Sequence, residues 1–262
     1  MTFSPDQIRR LARTLLDAEA GLAPIDPLSD AHPEMTAEDA YQVQLAIVAE
    51  HKAAGRRPVG RKVGLTSRAM QELLGVDQPD YGMLFEDMIT ADGGTCPAGK
   101  LLQPRVEPEI AFMLKAPLAG PGVTAADVIA ATDYVFPALE IVDSRVRDWK
   151  IKLTDTIADN ASSGRFVIGD SHVPVDGLDL AAEGLVFEKN GEELGRATGA
   201  AVLGNPANSV AWCANKLAEY GESLTAGELI LPGALTAMTP VVAGDTVTAR
   251  FSTIGIVAVS FT

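Results

Sequence analysis

Cysteine is nearly absent from this 262-residue chain, which carries only Cys96 and Cys213. The two stand far apart and in no CxxC arrangement, so neither a disulfide framework nor a structural zinc site is indicated, and two buried free thiols are expected. Histidine is almost as scarce: His32, His51 and His172 are too scattered to suggest a ligand set and read as surface or capping residues. Cationic residues are in deficit, 21 Lys and Arg against 35 Asp and Glu, a formal net charge of -14. A phosphate-tracking surface needs clustered cations, so nucleic-acid partners are excluded by this balance. Long apolar runs are missing too, because Gly and Pro break the most apolar stretch, residues 229–244. No membrane span is expected. The first 21 residues show an amphipathic pattern through Ile8, Leu11, Leu15 and Leu16 rather than a continuous apolar segment with a cleavage site. They do not read as a secretion signal, and a cytoplasmic address is expected by default. No GxGxxG following a strand, GxxxxGK[ST], HExxH or GxSxG occurs, so the common cofactor and nucleophile motifs are absent.

What is present is enough apolar residue, 47% of the chain, for one large domain spanning 1–262. Its first part, 1–58, reads as helical. Thr36-Ala37-Glu38-Asp39 resembles a capping box opening a helix over 37–54, with Gly55 as its stop. From residue 59 onward, short apolar runs separated by Gly, Pro and Asp predict a β-rich core. Strands are expected at 106–114, 134–142, 164–168, 185–189, 229–231, 247–251 and 255–261, with helices at 124–132 and 206–220. The absence of regular βαβ alternation points to an α+β fold around a mixed sheet or sheet roll.

Three segments carry candidate chemistry. In Arg105-Val106-Glu107-Pro108-Glu109, extended backbone sends Glu107 and Glu109 to the same face. Two like charges so close need a cation or a strong donor, and a hard divalent ion with oxygen ligands suits them. The alternative is an exposed edge strand, which Pro108 favours. Glu140 sits near the end of an apolar run and, if buried, needs a partner: a metal, or a salt bridge to Arg145 or Arg147. In Gly60-Arg61-Lys62-Val63-Gly64, alternation lets only one of the two cations face a pocket, and a solvated surface pair is the competing reading.

Together with Gly75-Val76-Asp77-Gln78-Pro79-Asp80-Tyr81-Gly82, Pro137-Ala138-Leu139-Glu140-Ile141-Val142-Asp143-Ser144-Arg145 and Ala158-Asp159-Asn160-Ala161-Ser162, these segments resemble the 2-keto-4-pentenoate hydratase and 4-oxalocrotonate decarboxylase group of the fumarylacetoacetate hydrolase superfamily. The resemblance covers nearly the whole chain. It implies a mixed β-roll core, with homo-oligomers common, and Mg²⁺ or Mn²⁺ held by Glu107, Glu109 and Glu140. It also implies Lys62, Asp80 and Ser162 at the reacting end of the substrate. Arg61 is carried as a substrate-binding candidate, and so is Thr236, in a segment resembling the superfamily's C-terminal substrate-side loop.

The Arg61-Lys62 pair, Gln103-Pro104-Arg105 and the 148–152 segment look more like hydratases, whereas residues 32–36 and 161–163 are similar to decarboxylases. The leading expectation is hydration of 2-hydroxypenta-2,4-dienoate to 4-hydroxy-2-oxopentanoate in aromatic meta-cleavage catabolism. The alternatives are 4-oxalocrotonate decarboxylation and a non-catalytic small-acid-binding subunit. A small 2-oxo or 2-hydroxydienoic acid is thus the expected partner, with a pathway neighbour enzyme as a further one. A partly buried Lys62 beside a metal is expected to have its pKa lowered.

Overall fold

The computed structural model describes residues 2–67, 71, 72, 76 and 78–262. Gly75 and Asp77 of the quoted 75–82 motif therefore lie outside the described residues.

The chain opens on helix α1 (Pro5–Gly21), where Ser4 and Gln7 form a capping box and Ile8, Leu11, Ala12, Leu15 and Ala18 turn inward. After the short α2 (Leu28–Ala31) comes α3 (Ala37–Ala53), capped reciprocally by Thr36 and Asp39. Asp39 is buried and also accepts the Thr2 and Phe3 amides, which ties the chain's start to the head of α3; against the effect of burial, the Thr2 and Thr36 hydroxyls, with the Phe3 and Thr36 amides, hold its carboxyl well below the usual pKa. Gly55 follows the helix at φ 88°, a left-handed value that glycine adopts without a Cβ penalty.

The strands follow in chain order: β1 (Pro58–Gly64), β2 (Asp80–Phe85), β3 (Ile89–Ala91), β4 (Thr95–Cys96), β5 (Arg105–Leu114), β6 (Thr132–Val142), β7 (Arg165–Ile168), β8 (Val173–Pro174), β9 (Gly184–Lys189) and β10 (Glu192–Thr198). Then come β11 (Leu229–Leu231), β12 (Thr239–Pro240), β13 (Thr246–Phe251) and β14 (Ile256–Phe261). Helices α4 (Ala125–Ala131), α5 (Leu153–Ala158) and α6 (Pro206–Ala218) are interspersed. Among the described residues one mixed sheet has the order β2-β1-β11-β5-β6-β7-β3, with β12 on β5 and β8 on β6, and a second has the order β10-β9-β13-β14-β4. A single apolar cluster joins α1 and α3, through Leu15 and Val43, to Ile110, Val210 and Val257.

The expected strands are all present, with ends shifted by no more than two residues, and the mixed α+β architecture stands. Beyond β1, six strands are not among those expected: the short β3, β4, β8 and β12, and the longer β2 and β10. β10 is polar and exposed, so it shows no apolar alternation, although Asn190-Gly191 ahead of it, at φ 54° and 80°, is a two-residue hairpin turn. β2 is buried along its whole length, so it lacks a polar face to mark its period.

The edge-strand reading of Glu107 and Glu109 is overturned. β5 lies between β11 and β6, and Glu109 is fully buried. Pro108 is accommodated because β11 pairs with Phe112 and Met113 while β12 pairs with Arg105 and Val106, leaving a gap between them. On that side the Pro108 carbonyl accepts the Leu235 amide, so the missing N–H costs no ladder bond.

Candidate active site

The β5–β6 register places Glu107 directly opposite Glu140 and Glu109 opposite Ala138. Period-two alternation on β5 and direct cross-strand pairing thus converge three carboxylates, each offering an oxygen within 4.8 Å of the others. Glu109 and Glu140 are fully buried and Glu107 is half-buried. Glu109 Oε2 accepts the Gly233 amide at 2.8 Å. The other Glu109 oxygen and both Glu140 oxygens are buried without a hydrogen-bond partner among the described residues.

Lys62 extends from β1 to Glu140 Oε1 at 3.3 Å and donates to the Ala161 carbonyl at 2.9 Å. β1 and β6 are three strand positions apart in the sheet, about 14 Å if it were flat at roughly 4.8 Å per strand. An ion pair across that span needs the curl of a roll. The alternative reading of Glu140, a salt bridge to Arg145 or Arg147, is overturned: Arg145 pairs with Asp159, and Arg147 with Asp26.

Asp80 faces Gly64 in the β1–β2 register and accepts from the Thr156 hydroxyl at 2.8 Å. A Cβ on Gly64 would lie 2.3 Å from Asp80 Oδ1, so this glycine is what admits the carboxylate beside Lys62. Ser162 is buried with an unpartnered hydroxyl. Asn160, Ala161 and Ser162 all have left-handed backbone, φ 52°, 51° and 53°, at a cost of roughly 1–2 kcal/mol per residue. Gly82 makes room for this turn, since a Cβ there would lie 2.3 Å from the Asn160 carbonyl oxygen.

Two expectations need correction. Arg61 is buried, but alternation sends it to the opposite face of β1 from Lys62, where it bonds Glu222 at 2.6 Å and contacts the Met83 sulfur. It is neither a solvated surface residue nor a neighbour of the carboxylates. Burial does press the Lys62 pKa down, as expected, but Glu140, Glu107, Asp80 and Glu109 together reverse the effect and hold it above the ordinary lysine value. Thr236 is half-exposed on the loop that docks at Pro108 through Leu235, and among the described residues its hydroxyl reaches only the Ala237 carbonyl, at 3.5 Å.

Burial, then the neighbouring carboxylates, raises Glu109 well above the usual range and pushes Glu107 up to about 8, against the opposing pull of Lys62. Burial likewise raises Glu140 and Asp80. Hard oxygen donors, converging and buried with too little positive charge to balance them, suit a divalent cation.

A pH dependence follows. A carboxyl raised from 4.5 to about 8 binds its proton more tightly folded than unfolded, so its contribution to metal-free stability is complete below pH 4.5 and is lost as pH rises through about 8. Cation binding has to displace that proton. Mg²⁺ affinity is expected to climb at least about tenfold per pH unit between pH 6 and 8, since Glu109 and Glu140 are raised as well, with proton release measurable by titration calorimetry in buffers of different ionisation heat. A pH-independent affinity between 6 and 8 would contradict this.

The model of the family described as fumarylacetoacetate (FAA) hydrolase C-terminal matches residues 43–262. The chain belongs to this family. It is 47% identical over 262 residues to the 2-hydroxyhexa-2,4-dienoate hydratase of Comamonas testosteroni, covering 99% of this chain and 98% of the relative. It is 45% identical to the 2-keto-4-pentenoate hydratase of Paraburkholderia xenovorans, covering 99% and 96%. Among solved structures, the 4-oxalocrotonate decarboxylase of Pseudomonas putida G7, complexed with magnesium and adipate, superposes with a TM-score of 0.97 at 43% identity, covering 100% of this chain and 99% of that one. Among the described residues, no helix of this family member is long and apolar enough to cross a membrane.

Three features of the site had escaped sequence reasoning: the Gly233 amide on Glu109, the Thr156 hydroxyl on Asp80, and the left-handed turn at 160–162. Gly233 had a signal, the Pro232-Gly233 pair, which marks a turn. Its φ is 117°, and a Cβ there would sit 2.0 Å from Thr66 Oγ1. Gly233→Ala is expected to destabilise the fold by at least ~2 kcal/mol and to weaken Mg²⁺ binding severalfold, read by thermal denaturation with and without the ion. An unchanged melting temperature would show that the loop relaxes freely.

Proposed function

We propose that this protein is a divalent-metal-dependent hydratase that adds water to 2-hydroxypenta-2,4-dienoate, or a close homologue of it, to give the 4-hydroxy-2-oxo acid. The observation that carries the reading is the ammonium of Lys62, with Asp80 near it, set against the three-carboxylate cluster. Glu107, Glu109 and Glu140 would hold Mg²⁺ or Mn²⁺, which supplies Lewis acidity to the substrate's C1 carboxylate and C2 oxygen.

Ketonisation with protonation at C5 gives an α,β-unsaturated ketone. Water then adds at C4, and the resulting enolate is protonated at C3. The chain must deliver two protons and activate one water. Lys62, kept charged by its carboxylate neighbours, stabilises the enolate oxygen and donates a proton. Asp80, its pKa raised by burial, takes the proton of the attacking water. The Ser162 hydroxyl, free of any other partner among the described residues, holds that water or the substrate. Thr236, on the loop beside β5, is the candidate for a distal substrate group. Arg61, bonded to Glu222 on the opposite face of β1 from Lys62, is not placed to touch substrate there.

A second reading, 4-oxalocrotonate decarboxylation, is favoured by the match to a decarboxylase structure holding adipate, a six-carbon dicarboxylate. There the cation held by the same three glutamates would supply electron-withdrawing power as CO₂ leaves, and no added water is needed. The apolar cluster joining helices to sheets supports one catalytic domain. The same reading has the chain working as a homo-oligomer in the cytoplasm beside a pathway neighbour enzyme.

The test is to mix the protein and Mg²⁺ with freshly generated 2-hydroxypenta-2,4-dienoate and identify the product by NMR. Rapid, metal-dependent 4-hydroxy-2-oxopentanoate is the expected result. Decay of the dienol at the uncatalysed rate, with CO₂ released from 4-oxalocrotonate, would move the assignment to the decarboxylase.

A further inference from the structure

The turn at Asn160, Ala161 and Ser162 carries two groups of the site, the carbonyl that accepts from Lys62 and the unpartnered hydroxyl of Ser162. None of the three is glycine, so the left-handed run persists only where its surroundings hold it. On the β2 side the hold is Asn160, whose side chain accepts the Met83 amide at 2.7 Å and donates to the Met83 carbonyl at 2.9 Å.

On the β6 side it is Arg145. Its guanidinium donates to Asp159 Oδ1 and to the carbonyls of Asp143, Asp159 and Ser163. Asp159 Oδ2 in turn accepts the Arg145 amide at 3.0 Å and the Ser144 hydroxyl at 3.3 Å. Both side chains are buried. The Asp143 amide donates to the Ser162 carbonyl at 2.8 Å, which docks the turn on the strand end that Arg145 braces.

We propose that Arg145 is a positioning residue that, through Asp159, clamps the 159–163 turn so that the Ala161 carbonyl orients the Lys62 ammonium and the Ser162 hydroxyl is held in the site. The proposal rests on the reading of Lys62 and Ser162 as reacting-end residues. A buried ion pair kept for stability alone needs no further bonds to the Asp159 and Ser163 carbonyls at the two ends of one turn and to the Asp143 carbonyl beyond the end of β6. A planar fork can make all of these bonds, and a lysine ammonium cannot reproduce their geometry.

The test is Arg145→Lys in the full chain with Mg²⁺ present. The expected result is a kcat lower by at least ~30-fold, with KM and Mg²⁺ affinity within about threefold of wild type. Amide hydrogen exchange should quicken at Asp143 and across 159–163 while β5 stays protected. Adding Ala161→Gly, which removes the left-handed penalty at the middle of the turn, should recover kcat at least about fivefold. If Arg145→Lys does not fold, Arg145→Met with Asp159→Leu removes both buried charges together and should show the same kcat loss on a folded protein.

An unchanged kcat, a kcat lost in step with Mg²⁺ binding, or no recovery with the glycine would overturn the proposal. The exchange pattern needs no turnover. A wild-type protein inert toward every dienoate would therefore sink the hydratase reading and leave the clamp to be judged on exchange alone.

Discussion

Replacing Lys62 with methionine is expected to abolish turnover, by at least ~10³-fold in kcat, while leaving Mg²⁺ binding intact. Methionine approximates the length and volume of the lysine stem, so packing between β1 and the turn is largely kept. What disappears is the ammonium held 3.3 Å from Glu140 and 2.9 Å from the Ala161 carbonyl. The three glutamates remain, and with the competing cation gone, a divalent ion binds them at least as well. Metal-free Lys62→Met should be less stable than wild type, because Glu140 then has no positive partner among the described residues. Added Mg²⁺ should restore much of that stability. Calorimetry for the metal and stopped-flow absorbance for the dienol separate the two effects. Near-normal turnover would remove Lys62 from the mechanism, and lost metal binding would show it to be a structural member of the cluster.

Glu109→Gln is expected to weaken Mg²⁺ binding by at least ~100-fold and to take activity with it, yet to leave the metal-free protein as stable as wild type or more so. Glu109 is fully buried, one of its oxygens has no hydrogen-bond partner among the described residues, and burial followed by Glu140 and Glu107 raises its pKa. Glutamine keeps an oxygen for the Gly233 amide and adds no charge, so the repulsion is relieved without loss of shape. The Mg²⁺-induced rise in melting temperature, which grows with the logarithm of one plus the ratio of ion concentration to Kd, should largely vanish at millimolar Mg²⁺. Retention of the full thermal shift would mean that the cation does not sit among these carboxylates.

Much of this was legible in the chain itself. The 107/109 spacing was enough to say that two carboxylates share a face, since a period of two is a property of any extended strand. Glu140 inside an apolar run announced a buried charge in need of a partner. Thr36 with Asp39, and the run of apolar strands after residue 58, marked out the helical and β-rich parts. The resemblance of several ordered motifs supplied the family, which the matching model and relatives bear out.

Other features belong to the pairing of distant segments. Sequence pattern could say that only one of Arg61 and Lys62 faces a pocket. Which one it is depends on the face that β1 turns toward β6 when the sheet curls, and that is a property of the sheet as a whole. The partner of Glu140 was equally undetermined: Arg145 and Arg147 are near in sequence, but Lys62, 78 positions away by residue number, reaches it across the roll. Pro108 looked like an edge marker until the gap between β11 and β12 showed how a central strand can hold it. The left-handed turn at 160–162 leaves no local trace, since Asn-Ala-Ser has no glycine to betray it and its conformation is held by Arg145, Asp159 and Met83. Residue identity and spacing thus determined which charges this protein has to neutralise, because periodicity is local. Tertiary structure alone decided which cation meets them and how the proton-handling groups are aimed, because those contacts join strands that register and curvature bring together.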